Sequence, residues 1–145
     1  MVATSPSRSV PAQLRRAQLA LGCFLAWTGF VWIGRIRNAV SDVDLVGSEK
    51  AGPLVLAASF LVPAAVLAVA WIRSLRTRRP LDRWAAGLLV ALAIWTTGLW
   101  VVRAVDIAAF GGWSIGFVVV HTVLAVVSIG LASWAVLAQR GAPSA

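Results

Sequence analysis

Four long uncharged stretches, separated by short polar or charged segments, form the dominant pattern of the chain. They cover residues 17–34, 51–72, 84–102 and 107–139. A helix crosses the hydrocarbon core of a bilayer with about 20 apolar residues, so each of the first three stretches fits one crossing. The fourth is longer than one crossing requires, and Gly111, Gly112 and Ser114 predict a turn before its helix begins.

The pattern therefore predicts an all-α membrane protein, a bundle of four transmembrane helices. The predicted transmembrane domain is 17–138, with spans at about 17–36, 52–73, 84–104 and 114–138. Residues 1–16, which contain several Ser and Pro, are expected to form a flexible cytoplasmic tail, and residues 139–145 a short second one. A signal peptide is the alternative for the first stretch, but its apolar region exceeds the usual length of about 7–15 residues and no small-residue cleavage site follows it.

The composition excludes a soluble domain. The chain is 60% apolar and 12% charged, with a mean hydropathy of +0.87, whereas soluble domains are about 25% charged. Its formal net charge of +8 would suggest nucleic-acid binding in a soluble protein. Because the basic residues here lie between the apolar stretches, they indicate membrane orientation instead. No nucleic-acid partner is expected. The expected partner is the lipid bilayer.

The basic residues are unevenly divided between the two sides of the predicted bundle. Four spans place both tails and the middle connection on one side, which holds Arg8, Arg15, Arg16, Arg73, Arg76, Arg78, Arg79, Arg83 and Arg140. The other side holds Arg35, Arg37, Lys50 and Arg103. By the positive-inside rule, both termini are predicted to be cytoplasmic. The Arg-, Ala- and Val-rich composition is typical of a high-GC bacterial genome, so we expect a multi-pass protein of the bacterial inner (plasma) membrane.

A short motif occurs twice in this Trp-rich chain. The first copy is Trp27-Thr28-x3-Trp32-x2-Arg35 and the second is Trp95-Thr96-x3-Trp100-x2-Arg103. Both copies fall in the outer part of an odd-numbered span. The simplest interpretation is an internal repeat of two tandem, similar helical hairpins with the same orientation. The alternative is coincidence in a chain that contains 8 Trp.

Each copy of the motif places three residues on one helix face, because they are spaced i, i+4, i+7. The two stripes are Thr28, Trp32 and Arg35, and Thr96, Trp100 and Arg103. One interpretation is a membrane-interface anchor, since Trp and Arg favour the headgroup region. The other is an outward-facing Trp/Arg rim around a pocket between the first and third spans, where two arginines hold a phosphate or carboxylate. Each guanidinium is expected to lie against the indole three residues earlier, and Asp106 is expected to pair with Arg103.

The remaining candidates lie deeper in the predicted spans. Trp27 and Trp95 are expected to fill the bundle interior or to form the floor of the pocket. His121, the single histidine, is either a functional ionisable residue at membrane depth or a neutral imidazole whose hydrogen bond holds helices together. One His and one Cys, Cys23, supply no metal, haem or disulfide set within one chain, so no metal or cofactor is expected.

These features favour a non-catalytic membrane subunit or binding module. Its rim would contact a partner membrane protein, another copy of the chain or an anionic lipid-linked ligand, and no catalytic residue is assigned. The first alternative is a small oligomeric transporter or channel. It is less favoured because no predicted span contains an acidic residue. A further alternative is a membrane enzyme acting on a lipid-linked substrate, with His121 as general base.

Overall fold

The computed structural model describes residues 9–43 and 47–142. It contains four α-helices: α1 Ser9–Ser41, α2 Ala51–Thr77, α3 Arg83–Phe110 and α4 Ile115–Arg140. A short 3-10 turn, Gly47–Lys50, precedes α2, and the described part of the chain contains no strand. All four helices are long and apolar enough to cross a membrane. The predicted all-α fold with four candidate transmembrane helices is therefore confirmed.

The helices extend beyond the predicted spans, most clearly at the start of α1. This helix begins at Ser9, so the described part of the segment expected to be a flexible tail is helical; residues 1–8 lie outside the described residues. Pro11 does not prevent this, because the amide groups in the first turn of a helix have no intrahelical acceptor. With 33 residues, α1 is about 50 Å long, which exceeds the hydrocarbon thickness of roughly 30 Å.

The connection between α3 and α4 is the tight turn that the glycines predict. Gly111 and Gly112 have positive φ angles of 53° and 75°, a backbone region that only glycine adopts readily. Ser114 then caps α4, its hydroxyl oxygen accepting a hydrogen bond from the backbone N–H of Phe117 at 3.3 Å. The turn therefore brings the last residues of α3 beside the first residues of α4.

The helices form a ring in chain order. Each helix packs against its neighbours along the chain, and α4 closes the ring on α1. The largest fully buried side chains are Leu21, Phe24, Phe60, Leu67 and Leu89. The upper end of the bundle is defined here as the end where α1 and α3 terminate, and the lower end as the one where α2 and α4 terminate. Many of the exposed large apolar residues are Val and Ile, as expected for surfaces that face lipid.

Two tryptophans link the hairpins to each other. The Trp27 indole N–H of α1 donates to Ser128 Oγ of α4 at 2.9 Å, and the Trp95 indole N–H of α3 donates to Ser59 Oγ of α2 at 3.1 Å. Trp27 is only half-buried and Trp95 is 48% exposed. The prediction that these two rings fill the interior or floor a pocket is therefore wrong. They lie between helices, where their N–H groups reach a serine on the adjacent helix.

Candidate binding cavity

A cavity of about 450 Å³ lies at the upper end of the bundle and is lined by residues of all four helices. Its polar and aromatic lining consists of Phe30, Trp32, Arg35 and Asn38 from α1, Trp100 and Arg103 from α3, and His121 from α4. The volume lies within the range of about 300–1,000 Å³ that is usual for small-molecule sites. Five of the residues singled out from the sequence thus come together around one space.

On the α1 side, the cavity wall combines a buried ring with an exposed charge. Trp32 is 5% exposed, and its ring stacks on Phe60 of α2 with the centroids 4.1 Å apart. One helical turn later Arg35 is exposed, and it has no ion-pair partner among the residues that the structure describes. Asn38, the next residue on this face, is also exposed, so the cavity opens at the upper end.

On the α3 side, Arg103 is held by partners on both sides of the turn. Its guanidinium donates to the carboxylate of Asp106, as predicted from their spacing. It also lies over the rings of Trp113 and Phe117, at 5.3 and 5.4 Å from the centroids. The expected stacking on Trp100 is therefore replaced by rings from the start of α4. The reason is that Trp100 is only 8% exposed and faces the bundle interior.

The other copy of the motif also lacks the expected stacking of its arginine on its tryptophan. The structure describes both Arg35 and Trp32 and gives no cation–π contact between them. Phe60 stacks on one face of the Trp32 ring, and the ring is only 5% exposed, so little of it is accessible to the arginine. Both motif tryptophans lie inside the bundle and away from the lipid-facing surface, which is the arrangement that a pocket requires.

His121 ends an aromatic ladder on α4. The rings of Trp113 and Phe117 are stacked with centroids 4.4 Å apart, and those of Phe117 and His121 with centroids 3.8 Å apart. His121 Nδ1 lies 2.9 Å from the backbone oxygen of Phe117. A carbonyl oxygen only accepts, so Nδ1 carries the hydrogen and Nε2 is the remaining polar atom of the ring. This bond lies within α4, so it does not hold two helices together.

Thr28 and Thr96 do not contribute to the cavity lining. Each is 4% exposed, and each hydroxyl donates at 2.8 Å to the carbonyl oxygen four residues earlier, Phe24 for the first and Leu92 for the second. Of the eight residues proposed from the sequence, the structure brings together Trp32, Arg35, Trp100, Arg103 and His121 around the cavity, and Asp106 through its bond to Arg103. The two threonines are buried in the bundle below the cavity.

Sequence reasoning missed Asn38, Trp113 and Phe117 as members of the site. The two aromatic residues carry a detectable signal, because Trp113, Phe117 and His121 are spaced i, i+4, i+8, which aligns Trp113, just before α4, with the α4 face that carries Phe117 and His121. Asn38 carries a similar signal, three residues after Arg35 on the same face. Polar and aromatic positions one helical turn from a proposed site residue are therefore candidates for the same site.

The charges of this region favour an anion. Among the side chains that line the cavity and their bonded partners, two guanidinium groups and one carboxylate, that of Asp106, leave an excess of positive charge. The rest of the wall is largely apolar, and a low local dielectric strengthens the attraction between a guanidinium and an anionic group. Beneath the cavity, the fully buried Phe24 and Phe60 and their apolar neighbours fill the middle of the bundle. The arrangement can hold an anionic group that enters from the upper end.

Comparison of the chain with protein-family models, with curated proteins and with solved structures gave no match.

Proposed function

We propose that the protein is a non-catalytic membrane binding module that holds an anionic group in its upper cavity. The group belongs to a lipid-linked ligand or to a partner membrane protein. The observation that carries this proposal is the convergence of Arg35, Arg103 and His121, from three different helices, on one cavity whose interior wall includes two buried tryptophans.

The two arginines have different roles in this proposal. Arg103 is pre-oriented by Asp106 and by the rings of Trp113 and Phe117, so little side-chain freedom is lost when it binds a ligand. Arg35 supplies a second positive charge, which forms no ion pair with the described residues. A planar guanidinium can bind a phosphate or carboxylate through two parallel hydrogen bonds, and the two arginines approach such a group from opposite helices.

The same proposal includes the orientation of the bundle and the origin of its two halves. The lower end carries Arg73, Arg76, Arg78, Arg79, Arg83 and Arg140, which supports a cytoplasmic location for that end. The cavity then faces the outside of a bacterial inner membrane. Each half supplies one buried Thr, one buried Trp and one Arg at equivalent depths, and each half donates one Trp–Ser hydrogen bond to the other. These equivalences support a duplicated helical hairpin.

An enzyme acting on a lipid-linked substrate is the second candidate, and a specific observation favours it. His121 lines the cavity, and its Nε2 is not used by the bond to Phe117, so this atom could accept a proton from a bound hydroxyl or water. A transporter or channel has less support, because the described residues place a filled apolar core beneath the cavity of a single copy.

Binding of a soluble anionic lipid headgroup tests the proposal. We expect the detergent-purified protein to bind dihexanoyl phosphatidic acid more tightly than dihexanoyl phosphatidylcholine in a calorimetric titration. Arg35→Gln and Arg103→Gln should each weaken phosphatidic acid binding about tenfold or more, since a hydrogen bond to a charged group contributes about 1.5–3 kcal/mol.

Arg37→Gln is the matched control, because Arg37 is an exposed arginine on the same helix that does not line the cavity. This variant should bind like the unmodified protein. Equal affinity for the two headgroups, or full binding by the variant that lacks both Arg35 and Arg103, would reject an anion site in the cavity. Turnover of a lipid substrate that is lost in His121→Ala would replace the binding module with the enzyme.

A further inference from the structure

A second space lies on the lipid-facing side of the upper bundle, between α3 and α4. This groove has a volume of about 480 Å³. Apart from the residues that it shares with the cavity, its lining comprises Ala104, Ile107 and Ala108 of α3 and Val118, Thr122, Ala125 and Val126 of α4. Ala104, Ala108, Thr122 and Val126 are exposed, so the groove is open towards the surrounding lipid.

The groove exists because the residues that face it are small. Ala104 and Ala108 are one helical turn apart on α3, and Ala125 lines the groove from α4. A larger side chain at either position on α3 would occupy the space that the methyl groups leave. The lining is apolar except for one threonine and the residues shared with the cavity, so its natural occupant is a hydrocarbon.

Three side chains line both the groove and the cavity: Trp100, Arg103 and His121. The two spaces are therefore adjacent, with these residues standing between them. Arg103 is part of the wall of both spaces, so an anionic group that it binds lies next to the groove.

The dimensions of the groove agree with those of a lipid chain in one leaflet. The groove extends over residues 100–108 of α3 and 118–126 of α4, which corresponds to about 12 Å along each helix. One leaflet contributes roughly half of a hydrocarbon core of about 30 Å. Both segments lie in the upper half of the bundle, so the groove remains within a single leaflet and runs parallel to its acyl chains.

We propose that the ligand of this protein is an anionic lipid that enters sideways between α3 and α4. Its phosphate binds Arg35 and Arg103 in the cavity, and one hydrocarbon chain occupies the α3–α4 groove. This inference rests on the proposed function, since the cavity must first bind an anion. It adds the class of ligand, because a free phosphate or an acidic peptide would leave the groove without a role.

The experiment compares two phosphatidic acids that differ in chain length. Binding of dihexanoyl and dioleoyl phosphatidic acid to the detergent-purified full chain is measured by native mass spectrometry. We expect the unmodified protein to retain the dioleoyl lipid at least about tenfold more tightly, since its longer chain buries more apolar surface in the groove. Ala104→Leu and Ala108→Leu fill the groove, so each should lower dioleoyl binding about tenfold and dihexanoyl binding less, because the shorter chain occupies only part of the groove.

Ala109→Leu provides the matched control. Ala109 is an exposed alanine next to Ala108 that does not line the groove, so its substitution should change neither affinity. If Ala104→Leu and Ala108→Leu bind the dioleoyl lipid like the unmodified protein, the groove is not the chain site, although the anion site in the cavity stands. If neither lipid depends on Arg35 and Arg103, the proposed function itself fails.

A second measurement needs no substitution. The unmodified protein is incubated with a phosphatidic acid that carries a diazirine in its acyl chain and is then irradiated, digested and sequenced by mass spectrometry. Adducts are expected within residues 100–108 and 118–126. Adducts confined to α1 and α2, or adducts that an excess of unlabelled phosphatidylcholine displaces as well as phosphatidic acid does, would overturn the proposal.

Discussion

At the scale of single residues, Arg103 organises the upper end of the bundle. Its guanidinium is bonded to Asp106 and lies over two aromatic rings at the start of α4. A cation–π contact contributes about 0.5–2 kcal/mol depending on its desolvation, and an ion pair whose side chains are 32% and 34% exposed at most about 1 kcal/mol. Neither contact alone makes a large contribution to the free energy of folding. Together they hold one side chain in the orientation that lets it line both the cavity and the groove.

Another residue-scale feature lies in the lower half of the bundle, where Gly22 permits close packing of α1 and α2. A Cβ atom at Gly22 would lie 2.7 Å from the Trp71 ring. The ring is held in place, because its indole N–H donates to the carbonyl oxygen of Gln18 at 2.8 Å. The Gln18 amide in turn donates to the hydroxyl and the carbonyl oxygen of Ser74. The contact therefore has little room to adjust.

We predict that Gly22→Ala lowers the free energy of unfolding by about 1–3 kcal/mol, the usual cost of overpacking a well-packed site. Gly29→Ala is the control on the same helix, because a Cβ there meets nothing within 4 Å. That variant should be neutral or slightly stabilising, since Ala favours a helix more than Gly does. Reversible unfolding in mixed detergent and SDS measures both. Equal stability of the two variants would show that Trp71 moves freely.

At the scale of helices, the two hairpins are joined by corresponding contacts. Exchanging α1 with α3 and α2 with α4 converts the Trp27–Ser128 hydrogen bond into the Trp95–Ser59 hydrogen bond. The surroundings of the two bonds differ. Ser128 is 4% exposed, whereas Ser59 is exposed and also donates to the carbonyl oxygen of Leu56. The bond to Ser128 is therefore expected to stabilise the bundle more.

A pair of double-mutant cycles tests this difference. The cycle of Trp27→Phe with Ser128→Ala should give a coupling free energy of about 0.5–1.5 kcal/mol, in the range measured for hydrogen bonds between membrane helices. The cycle of Trp95→Phe with Ser59→Ala should give less, because the Trp95–Ser59 bond is longer, 3.1 against 2.9 Å, and the Ser59 hydroxyl is also bonded to the carbonyl oxygen of Leu56. Trp84→Phe, at a ring that is 53% exposed, serves as the uncoupled control. A larger coupling for the exposed pair would contradict this ranking.

At the scale of the whole molecule, the arginine-rich lower end and the cavity lie at opposite ends of the bundle. The connection between α2 and α3 contains Arg78, Arg79 and Pro80, and the cavity lies between the upper halves of the helices. An anionic ligand that binds the cavity from the outer leaflet requires the lower end to be cytoplasmic. The orientation of the bundle therefore determines which leaflet has access to the cavity.

Cysteine labelling in intact cells determines the orientation of the bundle. In a Cys23→Ser background, Val43→Cys places a thiol at a position that is 89% exposed, between α1 and α2. We predict that a membrane-impermeant maleimide labels this thiol from outside. Thr77→Cys, exposed at the lower end, should react only after permeabilisation. The reverse pattern would place the cavity on the cytoplasmic side and contradict the positive-inside prediction.

The amino-acid sequence by itself determined the number of helices, their approximate positions and the turn before α4. These properties are local, since apolar length decides whether a segment crosses a bilayer, and glycine decides where positive φ is accessible. The helical spacing also placed Trp32 with Arg35 and Trp100 with Arg103, and it paired Arg103 with Asp106. Five of the twelve residues that line the cavity were therefore predictable as candidates.

The tertiary structure alone decided which face of each helix points inward. Trp27 and Trp32 are five positions apart, so they lie on different faces of α1, and nothing within that helix shows which face meets its neighbours. Packing buries Trp32 against Phe60 and leaves Trp27 at the α1–α4 boundary. The partners of Arg103 and the α3–α4 groove depend in the same way on two helices approaching each other. Contacts of this kind follow from the distances between helices, and the pattern along one helix does not contain them.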